Sequence, residues 1–175
     1  ELGSYQKDGS PGDRWENRIM SEIIEVNNYP SLEKGEEQTY VAMDDLEVDK
    51  RKITGTHQKK YKYSAPRFKN GDTLYPKMSR SLENGKTAFV DVLEDDEVAF
   101  GSTEFLVLRP KEDILPKYVY YTMRRPDIVA LTYKWRNGTT ARRQRIPKEV
   151  FDYINIPLPP IREQKQIIGF LDSLD

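Results

Sequence analysis

Two short stretches hold the residues best suited to a chemical task. "PKMSRSLENGK" at 76–86 offers Lys77, Arg80 and Lys86 as cations, with Ser79, Ser81 and Asn84 as neutral hydrogen-bonding groups. "RNGTTARRQR" at 136–145 is denser: it has Arg136, Arg142, Arg143 and Arg145, the amides Asn137 and Gln144, the hydroxyls Thr139 and Thr140, and no acid. Such a mixture suits duplex nucleic acid. Lysine and arginine meet phosphates, an arginine fork matches the edge of guanine, and a carboxamide matches adenine. Lys77, Lys86, Arg142 and Arg145 are the phosphate candidates. Arg80, Asn84, Asn137, Arg143 and Gln144 have the planar groups that base edges require, and Gln144 is the best match for adenine. A solvated loop is the competing reading of 76–86. For 136–145 it is a charged connector, in which Gln144 caps the loop internally and only supports its shape.

The net charge of −1 conceals strong segregation. Residues 50–90 contain 11 basic and 2 acidic side chains, and residues 117–148 contain 9 and 1. The segments 1–49, 91–116 and 149–175 are net acidic. If the two basic blocks share a face, the protein has a cationic surface that its total charge hides. If they do not, they are solvated faces laced with salt bridges.

Other chemistries find little support. There is no cysteine and one histidine, His57, so disulfides, cysteine-ligated zinc and a Ser-His-Asp triad are not expected. No Gly-rich phosphate loop occurs. "NIPLPP" at 155–160 resembles the Asn-Pro-Pro-aromatic site of adenine methyltransferases only superficially, with the wrong order. Glu163 and Lys165 form an isolated Glu-x-Lys without an upstream Asp. Asp44-Asp45 and Glu94 to Glu97 read as solvated turns. No cofactor or metal is expected. A mean hydropathy of −0.79 and 33% charged residues fit a soluble chain, and no apolar run approaches the roughly 20 residues of a membrane span. With no apolar leader in "ELGSYQKDGSPGD", a cytoplasmic location is expected.

The elements that must position the two stretches are partly legible. Residues 1–13 read as a flexible arm, and Trp15 to Val26 as a short helix or helix plus strand. "TYVAM" (39–43), "KTAFVDVL" (86–93) and "VAFGSTEFLVLRP" (98–110) read as strands, and residues 50–62 as an extended segment. The unbroken apolar run Phe105 to Leu108 predicts burial on both faces. Pro116 and Pro126 open two helices. "YINIPLP" reads as a strand. A last helix begins after Pro160 with an amphipathic stripe through Ile167, Ile168, Leu171 and Leu174. The fold class is therefore mixed α/β: a single compact domain with a curved, mainly antiparallel sheet flanked by helices.

Taken together, "SLEKGEEQTYVAMDDLE", "FKNGDTLYPKMSRSLENGKTAFV", "VAFGSTEFLVLRP", "NGTTARRQRIP" and "IPLPPIREQKQIIGFLDSLD" resemble the target recognition domain of type I restriction–modification specificity subunits, over about residues 16–175. The resemblance implies sequence-specific binding of double-stranded DNA as a half-site reader without a catalytic centre of its own. It implies DNA methyltransferase (modification) subunits and a restriction subunit as partners, and a second specificity domain or a homodimer joined through a spacer helix. Residues 14–159 would form the recognition domain. Residues 160–175 would begin the spacer, with Ile167, Ile168, Leu171 and Leu174 facing a partner. The runner-up is the recognition domain of a single-chain restriction–modification enzyme. A non-catalytic interaction module and a stand-alone nuclease or methyltransferase stand further back.

Overall fold

A computed structural model describes residues 15–48, 50–140 and 144–174, so the arm expected at 1–13 lies outside the described residues. The segment after Trp15 is strand, one helical turn and strand: β1 (Glu16–Ile19), α1 (Met20–Ile23) and β2 (Ile24–Val26). β1 pairs antiparallel with β10 (Asn155–Leu158), which brings distant parts of the chain together. Two four-stranded sheets form the rest of the β structure among the described residues. The first has the order β2, β9 (Phe105–Pro110), β6 (Thr73–Pro76), β7 (Ala88–Phe89). The second has the order β4 (His57–Lys60), β3 (Glu37–Val41), β8 (Ala99–Gly101), β5 (Arg67–Phe68). All pairs are antiparallel except β3 with β8. The mixed α/β class and the mainly antiparallel pairing are as expected, but the strands are divided between sheets.

The strand expected over 98–110 is in fact two, β8 and β9, which belong to different sheets. Gly101 is the pivot. A Cβ there would lie 2.9 Å from the Phe105 ring and 2.9 Å from the Val41 carbonyl oxygen, so only glycine permits this approach. The turn at 102–104 then closes with Phe105 N–H donating to the Ser102 carbonyl at 3.1 Å. The strand expected over 86–93 shortens to β7. Beyond it the chain is held by loop bonds, chiefly the Asn70 carboxamide, which both donates to and accepts from the Leu93 backbone.

β9 is buried on both faces, and its alternation divides two cores. Leu106 and Leu108 join Met20, Ile24, Tyr75, Val119 and Phe151 on the helical side. Phe105 and Val107 join Val41, Phe68, Leu74 and Val90 between the sheets. At the end of this strand pair the Asp72 carboxylate, 1% exposed, accepts from Arg109 Nε at 2.8 Å and Nη2 at 2.6 Å, and from the Lys69 amide.

Helices α3 (Pro116–Met123) and α4 (Pro126–Lys134) begin at prolines as expected. Prolines suit the first helical turn because the N–H they lack has no intrahelical partner there. α4 is keyed to the sheet by a 2.7 Å hydrogen bond between the buried Tyr75 and Thr132 hydroxyls. α5 (Ile161–Asp172) is held at both ends. At its start the buried Gln164 side chain accepts from the Leu115 amide at 2.9 Å and donates to the Pro159 carbonyl at 3.0 Å. At its end Asp172 accepts from Lys117 Nζ and Tyr121 OH at 2.6 Å and from Arg51 Nη1 at 2.7 Å. The apolar stripe differs from expectation. Ile167 and Ile168 are half-buried and pack on the helical core, and Leu171 is half-buried. The exposed apolar side chains are Leu174 and Phe170, the second unanticipated. The helix turns part of its stripe inward because α3 and the helical core offer it an apolar bed.

Two outcomes follow. Gly101→Ala should destabilise the protein by about 1–3 kcal/mol through overpacking, read as a lower midpoint in urea. A midpoint equal to the parent's would show that the Phe105 ring yields freely. At Asp172, burial acts to raise the pKa, but the Lys117 and Tyr121 hydrogen bonds and the Lys117 and Arg51 charges outweigh it and hold the carboxyl below its ordinary value. A depressed folded pKa stabilises above the unfolded value and loses that contribution as pH falls through the folded one. The stability difference between the parent and Asp172→Asn should therefore be roughly 1–2 kcal/mol at neutral pH and shrink below about pH 4. A difference constant with pH would count against the ionised carboxylate as the anchor.

Candidate nucleic-acid interface

β6 leaves its sheet at Pro76, and the pairing does not stop there. The Lys77 amide donates to the Glu104 carbonyl at 2.8 Å, and the Ile146 amide donates to the Lys77 carbonyl at 2.8 Å. Met78 then forms a bridge with Arg145, and Arg145 forms another with Asn137, the last two exchanging N–H···O bonds of 3.0 and 2.8 Å. The first sheet thus continues through the base of the 136–145 segment. The two basic stretches, remote in sequence, lie side by side.

The stretch 76–86 was expected to be a loop, but it contains a helix, α2 (Ser79–Glu83). Leu82 is buried in the helical core and pins this turn. Arg80 and Asn84 are exposed, and Ser81 is half-buried. The side chain of Ser79 lies outside the described ones. Lys86 reaches to the Met43 carbonyl and the Asp44 carboxylate, each at 3.3 Å.

The 136–145 segment is a hairpin whose base is Asn137 and Arg145. Arg142 and Arg143 lie outside the described residues. Asn137, Thr139 and Thr140 are exposed. Arg136 is engaged on three sides: Nε donates to Gln144 Oε1 at 2.8 Å, Nη1 donates to the Tyr133 carbonyl at 2.9 Å, and the guanidinium lies 3.9 Å from the Tyr133 ring centroid. A hydrogen bond to Glu83 raises the Tyr133 hydroxyl pKa. Glu83, Tyr133, Arg136 and Gln144 therefore connect α2, α4 and the hairpin. Gln144, the proposed adenine reader, has an internal partner on its oxygen.

Two further cations rest on the turn between β8 and β9. Lys77 Nζ donates to the Thr103 carbonyl at 2.8 Å. Burial lowers the Lys77 pKa, with the Arg145 charge adding to this and Glu104 opposing it. Arg145 grips Glu104 through Nε at 2.9 Å and Nη2 at 2.7 Å, and that hydrogen bond raises the guanidinium pKa. Beside the hairpin, Trp135 and Tyr153 stack with centroids 4.6 Å apart, and both are exposed. Sequence reading missed this turn and this aromatic pair. One signal was present for the turn: Glu104 is the lone acid between Glu97 and Glu112, within an apolar stretch. The single histidine, His57, contacts the Asp45 carboxylate at 2.9 Å.

Sequence and fold both place the chain among the DNA specificity domains of restriction–modification systems, the sequence by family and the fold by superposition. The chain superposes on the HsdS subunit from Thermoanaerobacter tengcongensis with a TM-score of 0.69 over 91% of its residues and 41% of that chain, at 22% identity. Residues 12–175 match the type I restriction modification DNA specificity domain, and the chain belongs to that family. It is 27% identical to the specificity subunit of the type I restriction enzyme EcoAI of Escherichia coli, over 96% of this chain and 29% of that protein. It is 25% identical to the EcoEI specificity subunit of the same organism, over 91% of this chain and 27% of that protein. The chain thus spans under a third of the length of these two relatives.

The Arg136–Gln144 contact makes the hairpin's anchorage measurable. Gln144→Ala should cost about 1 kcal/mol and speed amide exchange at Asn137 and Arg145. Unchanged exchange would show that the backbone bridges hold the hairpin without the carboxamide.

Proposed function

We propose that this chain reads one half of a divided duplex DNA target, as the specificity module of a type I restriction–modification assembly. The observation that carries the reading is the union of both basic stretches on one sheet extension through Met78, Arg145 and Asn137, in a member of this family. Lys77, Lys86, Arg142 and Arg145 supply positive charge for phosphates. Arg80, Asn84, Asn137 and Gln144 face base edges, with Ser81, Arg136, Thr139 and Thr140 lining the same surface; Arg143 and Ser79 are assigned to base reading and to this surface by their chemistry and place in the sequence alone. The oxygen of Gln144 has two lone pairs, so its bond from Arg136 leaves it able to meet adenine.

Residues 14–159 serve as the reading domain, and 160–175 begin the spacer helix. The exposed Phe170 on that helix and Leu174 just past its last turn are the apolar groups available to methyltransferase and restriction subunits or to a second specificity domain. The module itself is non-catalytic, and it works in the cytoplasm, where the DNA is. None of the helices among the described residues is long and apolar enough to cross a membrane.

Selection of bound duplexes from a random pool, with the modification subunit present, tests the reading. A short enriched motif is expected, with affinity that falls linearly in log salt as counterions are released. Recovery of no motif, together with salt-independent binding, would overturn it.

A further inference from the structure

The two strands at the centre of the first sheet place an acid where DNA is proposed to lie. Glu104 is the last residue of the β8–β9 turn, and its amide donates to the Ser102 hydroxyl at 3.2 Å, which shapes that turn. Its backbone carbonyl is held by the Lys77 amide at 2.8 Å. The Glu104 backbone is therefore fixed on both sides, and Arg145 meets its carboxylate in a two-toothed ion pair whose partners are 48% and 22% exposed. A carboxylate on a phosphate-facing surface repels every duplex alike, so its presence calls for a physical account.

We infer that Glu104 is a positioning residue for discrimination: it holds Arg145 in an internal ion pair on non-cognate DNA, so that this guanidinium reaches a phosphate only when base contacts have already favoured the complex. Arginine grips carboxylate and phosphate with the same fork, so exchanging one for the other gains little by itself. Non-specific binding is built almost entirely from phosphate contacts. Withholding one cation from that sum weakens binding to every sequence. A cognate site, with base-edge contacts to spare, can drive the exchange. The Lys77 ammonium, held on the neighbouring Thr103 carbonyl at 2.8 Å, keeps a second positive charge near the carboxylate once Arg145 leaves.

Glu104 can have this role only on a face that meets duplex DNA, and the test separates the two failures. Binding of a short random-sequence duplex is measured against salt for the parent chain, Glu104→Gln, Glu104→Asp, Arg145→Gln and the Glu104→Gln/Arg145→Gln pair, with thermal melts to confirm folding. Glu104→Gln should bind the random duplex roughly 3- to 10-fold more tightly at low salt and steepen the log–log salt slope by about 0.9, one additional phosphate contact. Glu104→Asp keeps the charge and should behave like the parent. Arg145→Gln alone should leave the slope unchanged, and the pair should return it to the parent value. A merely structural Glu104 would give weaker binding and no added slope, which overturns the role. If Glu104→Gln fails to melt cooperatively, Arg145→Gln decides: a slope reduced by about 0.9 means that Arg145 already lies on phosphate, and the role falls. A parent chain that binds no duplex defeats the DNA reading itself.

Discussion

The antiparallel register of β6 against β9 is the constraint on which the remainder depends. Thr73 faces Leu108 and Pro76 faces Phe105. One step beyond the ladder in one direction stands the Asp72–Arg109 pair, and one step beyond it in the other the Lys77 amide meets the Glu104 carbonyl. A slip of β9 by one residue would exchange the faces of every side chain in that strand, sending Leu106 and Leu108 to the wrong core. It would also leave the Asp72 carboxylate buried without its arginine, at a cost of about 3–5 kcal/mol. The same register that packs two cores therefore places the Ser102–Glu104 turn beneath Lys77 and Arg145.

The candidate interface is not a collection of free cations. Arg136 is held by Gln144 and Tyr133, Arg145 by Glu104, and Lys86 by Asp44 and the Met43 carbonyl. Exposed ion pairs contribute little to stability, typically well under 1 kcal/mol each. Their effect here is geometric: they fix where each guanidinium or ammonium sits before any partner arrives. The exposed polar groups, Arg80, Asn84, Asn137, Thr139 and Thr140, then project from a base whose backbone is already hydrogen-bonded.

The "LPP-x-x-EQ" start of the last helix also acquires a physical meaning. Gln164 is buried not for recognition but because it joins the Pro159 carbonyl to the Leu115 amide at the start of α3. Glu163 accepts a 2.6 Å hydrogen bond from the Trp15 indole. With Asp172 clamped by Arg51, Lys117 and Tyr121, α5 leaves the domain in one direction rather than as a hinged tail.

Features that depend on local chemistry were legible in the residues alone. Pro116, Pro126 and Pro160 mark helix starts because a missing N–H is tolerated there, and the 3.6-residue periodicity after Pro160 is a property of one segment. The run Phe105 to Leu108 announces a strand buried on both faces because every position is apolar. The charge blocks likewise follow from counting. What needed the tertiary structure is what depends on a partner from elsewhere in the chain. Gly101 breaks an apparently continuous strand because Val41, from another strand, approaches it. Residues 79–83 coil because Leu82 finds a core that is assembled from other segments. Ile167 and Ile168 turn inward because α3 and the helical core lie beneath them. Whether Arg145, Lys86 and Gln144 face solvent or an internal partner was settled by Glu104, Asp44 and Arg136, and only the folded backbone brings the first two of those within reach, since non-local contacts are set by strand pairing and packing rather than by neighbours in sequence.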